Sequence, residues 1–406
     1  MEALQTSKSL KAVQVAIGLL FALVVLPSNL KAIAILIFGV TVLIHALTRK
    51  WHFNGLFFVT NALVFLVIAL TYFYSDNTAY AQRKMMTMAS LLVFPFVFAM
   101  LTKQEGKLIF KQLKSYLWIY LLSIFLFNLV AFVWFYTTQY SFMELMEHFH
   151  TLLRVKMGKW GIHPIYLSMH CSIAVLFSFY ILKKTTSKSI IALLIAIDIT
   201  LVLFLLLYAK KGPLLALLIV FSLFVVFQRK QQLLKPYLIA VVALIFLTIA
   251  IPKTRNKFVE LLKIETIENG AVTSTNIRYT VYATARKLIA ESPVLGYGIG
   301  DYNDTLLQAY IESENQVLIK GEYNAHNQFF SLLLIGGVIA LIAFLITMGM
   351  NMVYAIRFNN QLLILLLLFY GMVMFTENIL EREAGVIFFA FFLNFFGHKS
   401  LYAREA

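Results

Sequence analysis

Cysteine and charged residues are both scarce in this chain of 406 residues. The one cysteine, Cys171, excludes a disulfide framework and a cysteine-based metal site. It lies within an apolar run, so we predict a buried thiol. Charged residues make up only 13% of the chain, against roughly 25% in a soluble domain. With 61% hydrophobic residues and a mean hydropathy of +0.83, the composition indicates a membrane protein.

Acidic residues are few compared with basic ones: 19 Asp and Glu against 34 Lys and Arg, which gives a net charge of +15. No basic tract stands apart from the apolar runs, and the aromatic residues lie inside those runs. This pattern disfavours a nucleic-acid partner, because a base-stacking surface needs exposed aromatic residues among the cations. We assign the positive charge to membrane topology and to contact with anionic lipid headgroups.

The apolar runs predict an all-α polytopic membrane protein with about twelve transmembrane helices, and residues 1–406 form a single integral membrane domain. We place the first seven near Ala12–Leu26, Ala32–Leu47, Leu56–Tyr72, Met88–Leu101, Tyr116–Tyr136, Pro164–Leu182 and Ile190–Tyr208. The other five lie near Pro213–Phe227, Pro236–Ile251, Gln328–Val353, Gln361–Phe375 and Gly385–Phe396. No internal repeat is evident.

The distribution of lysine and arginine between the runs predicts that both termini are cytoplasmic. Most acidic residues then fall on the outer side, which agrees with that orientation. Two outer segments exceed an ordinary connection: residues 137–163, and residues 252–328 between helices 9 and 10. Within the longer segment, 276–290 has helical composition, with Arg278, Tyr282 and Arg286 on one face.

The pair His326-Asn327 stands where the long outer segment meets the tenth predicted helix. A histidine exchanges a proton near neutral pH, so His326 is a candidate general base. The alternative is a purely structural helix start, with Asn327 or Asn324 as the N-cap. Gly336 and Gly337 follow about three turns later and predict close helix packing.

Arg278, Lys210 and Lys211 are the candidate ligands for an anionic substrate. A guanidinium can bind a phosphate through two hydrogen bonds and stays charged. Two adjacent lysines on the outer side run against the usual charge bias, and a pyrophosphate would explain them. The alternatives are a solvated arginine and lysines that reach lipid headgroups.

The glycines Gly296, Gly298 and Gly300 do not match a nucleotide-binding fingerprint, whose spacing and βαβ context are absent. They predict a tight turn or a close backbone approach. Asp301 and Asp304 lack the further ligands that a metal site needs, so we predict neither metal nor cofactor.

Two sets of charged residues lie elsewhere in the sequence. Asp198 lies in the middle of a predicted span, which implies a polar partner or cavity. The acidic cluster after the eleventh span is expected to be a solvated face; it comprises Glu377, Glu381, Arg382 and Glu383.

Taken in order, these motifs resemble the O-antigen ligase superfamily, which includes O-antigen polymerases and bacterial O-oligosaccharyltransferases. The resemblance rests on Lys211-Gly212, Arg278, the segment 293–300 and His326-Asn327. It implies a GT-C-like, metal-independent glycosyltransferase whose donor is a glycan on undecaprenyl pyrophosphate. The inner membrane would hold the protein, with the site and both outer segments facing the periplasm.

Carried over by position, His326 would activate the acceptor hydroxyl and Arg278 would bind the donor pyrophosphate together with Lys210 and Lys211. Lys211 occupies a place where the family usually has arginine, so a point charge would replace a bidentate contact. The further candidate members of the site are Arg154, His163, Asn327, Tyr279 and Arg286.

The resemblance favours an inverting ligase that transfers the glycan to lipid A–core oligosaccharide. An O-antigen polymerase or a protein O-oligosaccharyltransferase would use the same donor with another acceptor. A transporter or flippase for lipid-linked glycans is the alternative from another class, and it predicts paired repeats, interrupted helices and intramembrane charges near the midplane.

Overall fold

The structure is a computed structural model that describes residues 7–228, 231–268 and 271–400. The predicted cytoplasmic termini, 1–6 and 401–406, lie outside the described residues. Regular structure in the described part is helical, with short 3-10 segments at Leu23–Val25, Thr71–Tyr74, Gly158–Trp160 and Glu260–Leu262. The α-helices are α1 Lys8–Phe21, α2 Ser28–Leu47, α3 Gly55–Leu70, α4 Thr78–Met88, α5 Ser90–Ala99, α6 Lys103–Phe110, α7 Leu113–Thr138, α8 Phe142–Val155, α9 Pro164–Leu182, α10 Lys188–Tyr208, α11 Lys211–Gln228, α12 Gln231–Ala250, α13 Pro252–Val259, α14 Ser274–Glu291, α15 Tyr302–Glu312, α16 Gln316–Gly321, α17 Gln328–Arg357, α18 Gln361–Met374 and α19 Glu383–Ser400.

Each of the twelve predicted spans coincides with one of these helices. Six helical stretches of the described chain are long and apolar enough to cross a bilayer: Ser28–Leu47, Gly55–Tyr74, Leu113–Thr138, Pro164–Leu182, Lys188–Tyr208 and Gln328–Arg357. Further apolar helices are shorter, as in Ser90–Ala99 and Gln361–Met374. The prediction of an all-α, multi-pass membrane protein is therefore confirmed, and the count of twelve spans stays a prediction.

Both outer segments contain helices of their own. The segment 137–163 holds α8, whose N-terminus is closed by a capping box between Ser141 and Glu144. The segment 252–328 holds α13 to α16. The helix predicted at 276–290 is confirmed as α14, capped by the Thr273 side chain. The periplasmic location of both segments stays a prediction.

The described residues form two compact units, so the assignment of 1–406 to one membrane domain stays a prediction. Unit 1 comprises 7–53, 99–255 and 398–400, and unit 2 comprises 54–98 and 256–397. In unit 1, α9 is the central helix, packed against α7, α10 and α11. Cys171 of α9 is fully buried, as predicted. Asn128 Nδ2 donates to its sulfur at 3.7 Å, and Asn128 Oδ1 accepts a hydrogen bond from the Tyr208 hydroxyl.

In unit 2, α17 packs along α3 and against α14 and α18. Polar side chains join α17 to α3 inside the apolar surroundings. The Asn351 amide donates to Asn61 Oδ1 at 2.7 Å, and the Thr347 hydroxyl donates to the Thr60 carbonyl at 2.9 Å. Hydrogen bonds of this kind hold apolar helices in register, because lipid offers no competing partner.

A break in α17 at Gly336 and Gly337 is the most irregular feature of unit 2. Both residues have non-helical backbone angles, and Gly337 has φ +58° and ψ −155°, a region open essentially to glycine alone. The break frees backbone groups that the segment 293–298 then pairs. Val338 N donates to the Pro293 carbonyl at 2.9 Å, while Tyr297 N donates to the Leu334 carbonyl at 2.7 Å.

The prediction of close packing by another helix at Gly336 and Gly337 is therefore wrong about the partner. The backbone of the loop 293–298 packs against this break instead. A Cβ on Gly337 would lie within 2.0 Å of the Val294 carbonyl oxygen. On the loop side, Gly296 has φ +62°, and its Cβ would lie within 2.6 Å of the Leu334 oxygen. The backbone of the tight turn predicted at 296–300 thus packs directly against the backbone of α17 at its break.

Four of the N–H groups of this glycine turn, those of residues 297–300, donate within unit 2. Tyr297 N and Gly298 N donate to α17 carbonyls, Ile299 N to the Thr71 hydroxyl and Gly300 N to the Ser75 hydroxyl. No row of free N–H groups remains there to cradle a phosphate. The turn therefore connects α17 to residues 71 and 75 through hydrogen bonds, a structural role that fits the interpretation that it is not a nucleotide-binding loop.

Asp301 and Asp304 hold the residues just before the polar helix α4, whose N-cap is Asn77. Both carboxylate oxygens of Asp301 accept backbone N–H groups, from Asp76 and Asn77, each at 2.8 Å. Asp304 accepts from the Asn77 amide at 2.9 Å. Negative charge at a helix N-terminus is favourable, so this acidic pair has a structural role.

Replacing Gly337 by alanine is expected to destabilise the protein. The backbone conformation alone costs about 1–3 kcal/mol for a residue with a Cβ, and the collision with Val294 adds to it. The matched control is Gly349→Ala in the same helix, where a Cβ would meet nothing within 4 Å; there alanine is neutral or stabilises by up to about 1 kcal/mol. Thermal unfolding in detergent compares the two variants, and equal melting temperatures would contradict the close backbone contact at Gly337.

Candidate functional site

His326 lies immediately before α17, in a backbone conformation that its neighbours impose. Its φ is +45°, which non-glycine residues seldom adopt. The side chain of Asn324 accepts the His326 N–H at 3.2 Å. Asn327 is the N-cap of α17, accepting the N–H groups of Phe329 at 2.9 Å and Phe330 at 3.1 Å. The capping role considered for Asn327 is confirmed.

Tyr282 of α14 fixes the carbonyl side of His326. Its hydroxyl lies 2.9 Å from the His326 carbonyl and 2.9 Å from the Phe375 carbonyl, and donates its one proton to either. Burial raises the pKa of Tyr282 to about 12, so the phenol remains a donor at neutral pH. One side chain thus joins α14, the start of α17 and the end of α18.

Arg278 lies one turn before Tyr282 on the same face of α14, as predicted. Its Nη2 donates to Glu377 Oε1 at 2.5 Å, Nε to the Thr376 carbonyl at 3.3 Å and Nη1 to the Ser274 carbonyl at 3.3 Å. A guanidinium has five N–H groups. Three are engaged within unit 2, which leaves two for a ligand on a side chain that is 25% exposed.

Glu377 connects Arg278 with His326. Its second carboxylate oxygen, Oε2, lies 3.9 Å from His326 Nδ1. Burial acts to raise the pKa of Glu377, but His326 and Arg278 outweigh it, and the pKa falls below its ordinary value. Glu377 is therefore a carboxylate at neutral pH. Among the described residues, His326 Nδ1 has no hydrogen-bond partner, and Glu377 Oε2 is the carboxylate oxygen that faces it.

In this arrangement a carboxylate, Glu377, is placed to orient a candidate general base, His326. A carboxylate beside one imidazole nitrogen fixes the tautomer and stabilises the imidazolium, which leaves the other nitrogen to take a proton. Arg278 adds a fixed positive charge next to that base. Together, Arg278, Glu377 and His326 can accept a proton and stabilise negative charge at one place.

The loop after α18 carries a second buried carboxylate, Glu381. It accepts hydrogen bonds from Tyr302 at 2.5 Å, from Asn378 at 2.7 Å and from Ser331, and it pairs with Lys84 at 3.3 Å. Burial acts to raise the pKa of Glu381, but the charge of Lys84 and these hydrogen bonds lower it overall. The same loop thus has one carboxylate in the candidate site and one anchored in the core.

The expectation that Glu377, Glu381, Arg382 and Glu383 form a solvated face is therefore wrong for the first two. The Glu377 side chain is 13% exposed and Glu381 is fully buried, whereas Arg382 and Glu383 are exposed. Glu377 is the site residue that reasoning from sequence missed. A signal was present, because Glu377 and Glu381 lie four residues apart in a short connection between two apolar helices.

The remaining predicted members are spread over the chain. Tyr279, 41% exposed, and Arg286 lie on exposed positions of α14 in unit 2. Lys210 and Lys211 lie in unit 1 at the junction of α10 and α11, where Ala209 adopts a left-handed conformation. Also in unit 1, Arg154 lies exposed in the last turn of α8 and His163 is the N-cap of α9. A shared site for the unit 1 cations and Arg278 stays a prediction.

Asp198 has the polar partner that its position in the middle of α10 implied. The Ser178 hydroxyl of α9 donates to Asp198 Oδ2 at 2.8 Å. Its other oxygen has no hydrogen-bond partner among the described residues. Asp198 also lines a cavity of about 450 Å³ whose other walls are apolar.

Comparison with known protein families adds an independent finding. Residues 196–345 match the family model described as O-Antigen ligase. The matched segment contains Lys210, Lys211, Arg278 and His326, and ends before Glu377. No curated protein matches the chain. The resemblance to the O-antigen ligase superfamily is thereby confirmed, and the match supports an O-antigen ligase- or polymerase-type function in general.

Replacing Lys84 by methionine is expected to cost about 3–5 kcal/mol, because it leaves the buried Glu381 charge without its partner. The double variant Lys84→Met with Glu381→Gln should recover part of that loss. The control is Arg83→Met, which removes an exposed neighbouring charge. Melting temperatures of the purified proteins report the differences; a Lys84→Met protein as stable as the control would contradict a buried pair.

At low pH, the loop after α18 is expected to contribute less to the free energy of unfolding. Because the folded pKa values of Glu377 and Glu381 lie below the ordinary 4.5, their contribution is complete above about pH 4.5 and is lost as the pH falls through the folded values. A melting temperature measured from pH 7 down to pH 3 should fall below that point. The fall should be smaller in the double variant Glu377→Gln with Glu381→Gln, and an unchanged fall would oppose this assignment.

Proposed function

We propose that this chain, a member of the O-antigen ligase superfamily, transfers a glycan from undecaprenyl pyrophosphate to lipid A–core oligosaccharide. The observation that carries the proposal is the group Arg278, Glu377 and His326, in which a proton acceptor and a fixed cation meet. That pairing suits displacement of a pyrophosphate by a hydroxyl. The family match supports a lipid-linked glycan as donor and a glycan acceptor in general, and the undecaprenyl pyrophosphate donor and lipid A–core acceptor are part of the proposal.

In the proposed reaction, the acceptor oxygen attacks the anomeric carbon while the bond to the pyrophosphate oxygen breaks. His326 takes the proton of the acceptor hydroxyl through Nε2, and Glu377 stabilises the imidazolium through Nδ1. Arg278 binds the leaving pyrophosphate with its two remaining N–H groups and offsets the charge that develops there. A single displacement of this kind inverts the anomeric configuration.

Lys210 and Lys211 are proposed as further contacts of the pyrophosphate. Lysine offers a point charge in place of the planar fork of arginine, so these residues would supply attraction with less geometric control. Arg278 then provides the directional contact. Positive side chains are sufficient for this chemistry in principle, and the proposed transfer is therefore metal-independent.

The proposed setting is the bacterial inner membrane, with both termini in the cytoplasm and the site facing the periplasm. Lipid-linked donor and acceptor would then meet at one membrane surface. Four further side chains are proposed to contact the glycans, since each is exposed and lies in or next to an outer segment: Tyr279, Arg286, Arg154 and His163.

Transfer in vitro tests the choice of acceptor. Purified protein in detergent is given undecaprenyl-pyrophosphate glycan with lipid A–core, with acceptor protein, or with no second acceptor, in chelator throughout. We expect a product on lipid A–core that survives chelation. Chain extension without added acceptor would identify a polymerase, and glycosylated protein an O-oligosaccharyltransferase. No product in any arm, with donor moved across vesicles, would favour a flippase.

Substitution at the site tests the mechanism. His326→Ala should lower the transfer rate by about 10²–10⁴-fold, the usual contribution of a general base. Arg278→Gln should lower it by about 10²–10³-fold, as for loss of one charge-stabilising donor. The control is Lys287→Gln, which removes an exposed charge from the same helix and should leave the rate unchanged. Full activity of His326→Ala in correctly folded protein would overturn the proposed base.

A further inference from the structure

A cavity of about 270 Å³ in unit 1 has four lysines in its walls: Lys111, Lys114, Lys184 and Lys399. They come from three parts of the chain, namely the α6–α7 junction, the residues after α9 and the end of α19. No aspartate or glutamate lines this cavity, which we call the basic pocket. Four like charges on one concave surface repel one another, and a bound anion would offset that repulsion.

Tyr180 organises two of these lysines. Lys184 Nζ donates to the Tyr180 hydroxyl at 2.8 Å and lies 4.5 Å from the centre of its ring. Lys399 Nζ lies 5.9 Å from the same ring. Burial lowers the pKa of Lys399; Tyr180 acts to raise it, and the nearby charge of Lys184 lowers it. A bound anion would favour the charged form of Lys399.

The rest of the wall is apolar and includes Phe110, Leu113 and Ile181. Cations beside an apolar surface, at the end of membrane-spanning helices, match a lipid whose phosphate lies at the interface and whose chains lie in the bilayer. A soluble phosphate would use only the lysines. The composition of the wall therefore favours a phospholipid.

The basic pocket lies at the opposite end of α9 from His163. His163 caps the first turn of this helix and Lys184 follows its last turn. The 19 residues between span about 28 Å at 1.5 Å per residue, close to the thickness of the hydrocarbon core. If His163 is on the periplasmic side, the pocket faces the cytoplasmic leaflet, where basic pockets between helices bind anionic headgroups.

We propose that the basic pocket binds the phosphate headgroup of an anionic phospholipid of the surrounding bilayer. Lys111, Lys114, Lys184 and Lys399 contact the phosphate, and the apolar wall contacts the acyl chains. This inference does not rest on the proposed glycan transfer, and its test measures lipid binding alone.

Native mass spectrometry of the full chain in detergent measures the binding. The protein is titrated with phosphatidylglycerol, with zwitterionic phosphatidylcholine, and with inorganic phosphate or glycerol phosphate as soluble competitors. We expect phosphatidylglycerol to bind about tenfold more tightly than phosphatidylcholine. The soluble anions should compete only weakly.

The variant with glutamine at all four pocket lysines should lose this preference, with a fall in affinity of about tenfold or more. The matched control replaces Lys8, Lys11, Lys50 and Lys103, four exposed lysines predicted on the same side and outside the pocket. It changes the net charge equally and should keep the preference. If the fourfold variant fails to fold, the pair Lys111→Gln and Lys114→Gln, both exposed, gives a milder version of the same test.

Equal affinities for the two lipids would overturn the proposal, as would equal losses in the pocket and control variants. Soluble phosphate binding as tightly as phosphatidylglycerol would also overturn it, because the pocket would then hold a free anion. A preference for phosphatidylglycerol that is lost only in the pocket variants would support it.

Discussion

The break in α17 is the constraint on which most of unit 2 depends. A helix inside a membrane must pair every backbone group, because lipid supplies no partners. Gly336 and Gly337 free such groups, and the segment 293–298 pairs them. That segment follows α14, which carries Arg278 and Tyr282. It leads to Asp301 and Asp304 at the start of α15, which accept hydrogen bonds from residues 76 and 77 just before α4. The hydrogen bonds between the segment 293–298 and the break thus fix the end of α14 against α17.

The loop between α18 and α19 completes the site from the other side. Two carboxylates four residues apart have separate tasks: Glu381 is held by Lys84, Tyr302, Ser331 and Asn378, while Glu377 faces Arg278 and His326. A buried charge is tolerated only with close partners, so the anchored carboxylate restricts where the other can lie. Tyr282 adds a hydrogen bond to the end of α18.

Charge is distributed differently in unit 1. Its buried polar groups include hydrogen-bonded amides and hydroxyls on helices that pack against α9, such as Asn128 of α7 and Tyr208 of α10. Its cations collect at helix ends, where Lys184 and Lys399 flank Tyr180 and Lys210 and Lys211 begin α11. Helix ends at a membrane surface are where cations meet anionic lipids and lipid-linked substrates.

The sequence by itself determined the helices, the multi-pass membrane class and the resemblance to the O-antigen ligase superfamily, because run length and hydropathy act locally and the motifs keep their order along the chain. It also indicated His326 and Arg278, since polar residues at the boundary of apolar runs are conspicuous. It missed Glu377 and misjudged the partner of Gly336 and Gly337. His326 and Glu377 are 51 positions apart in the chain, and the two glycines are about 40 positions from the loop backbone that packs on them. Only the tertiary structure decides which distant backbone group pairs with a freed hydrogen-bonding group, and which distant carboxylate faces a charge.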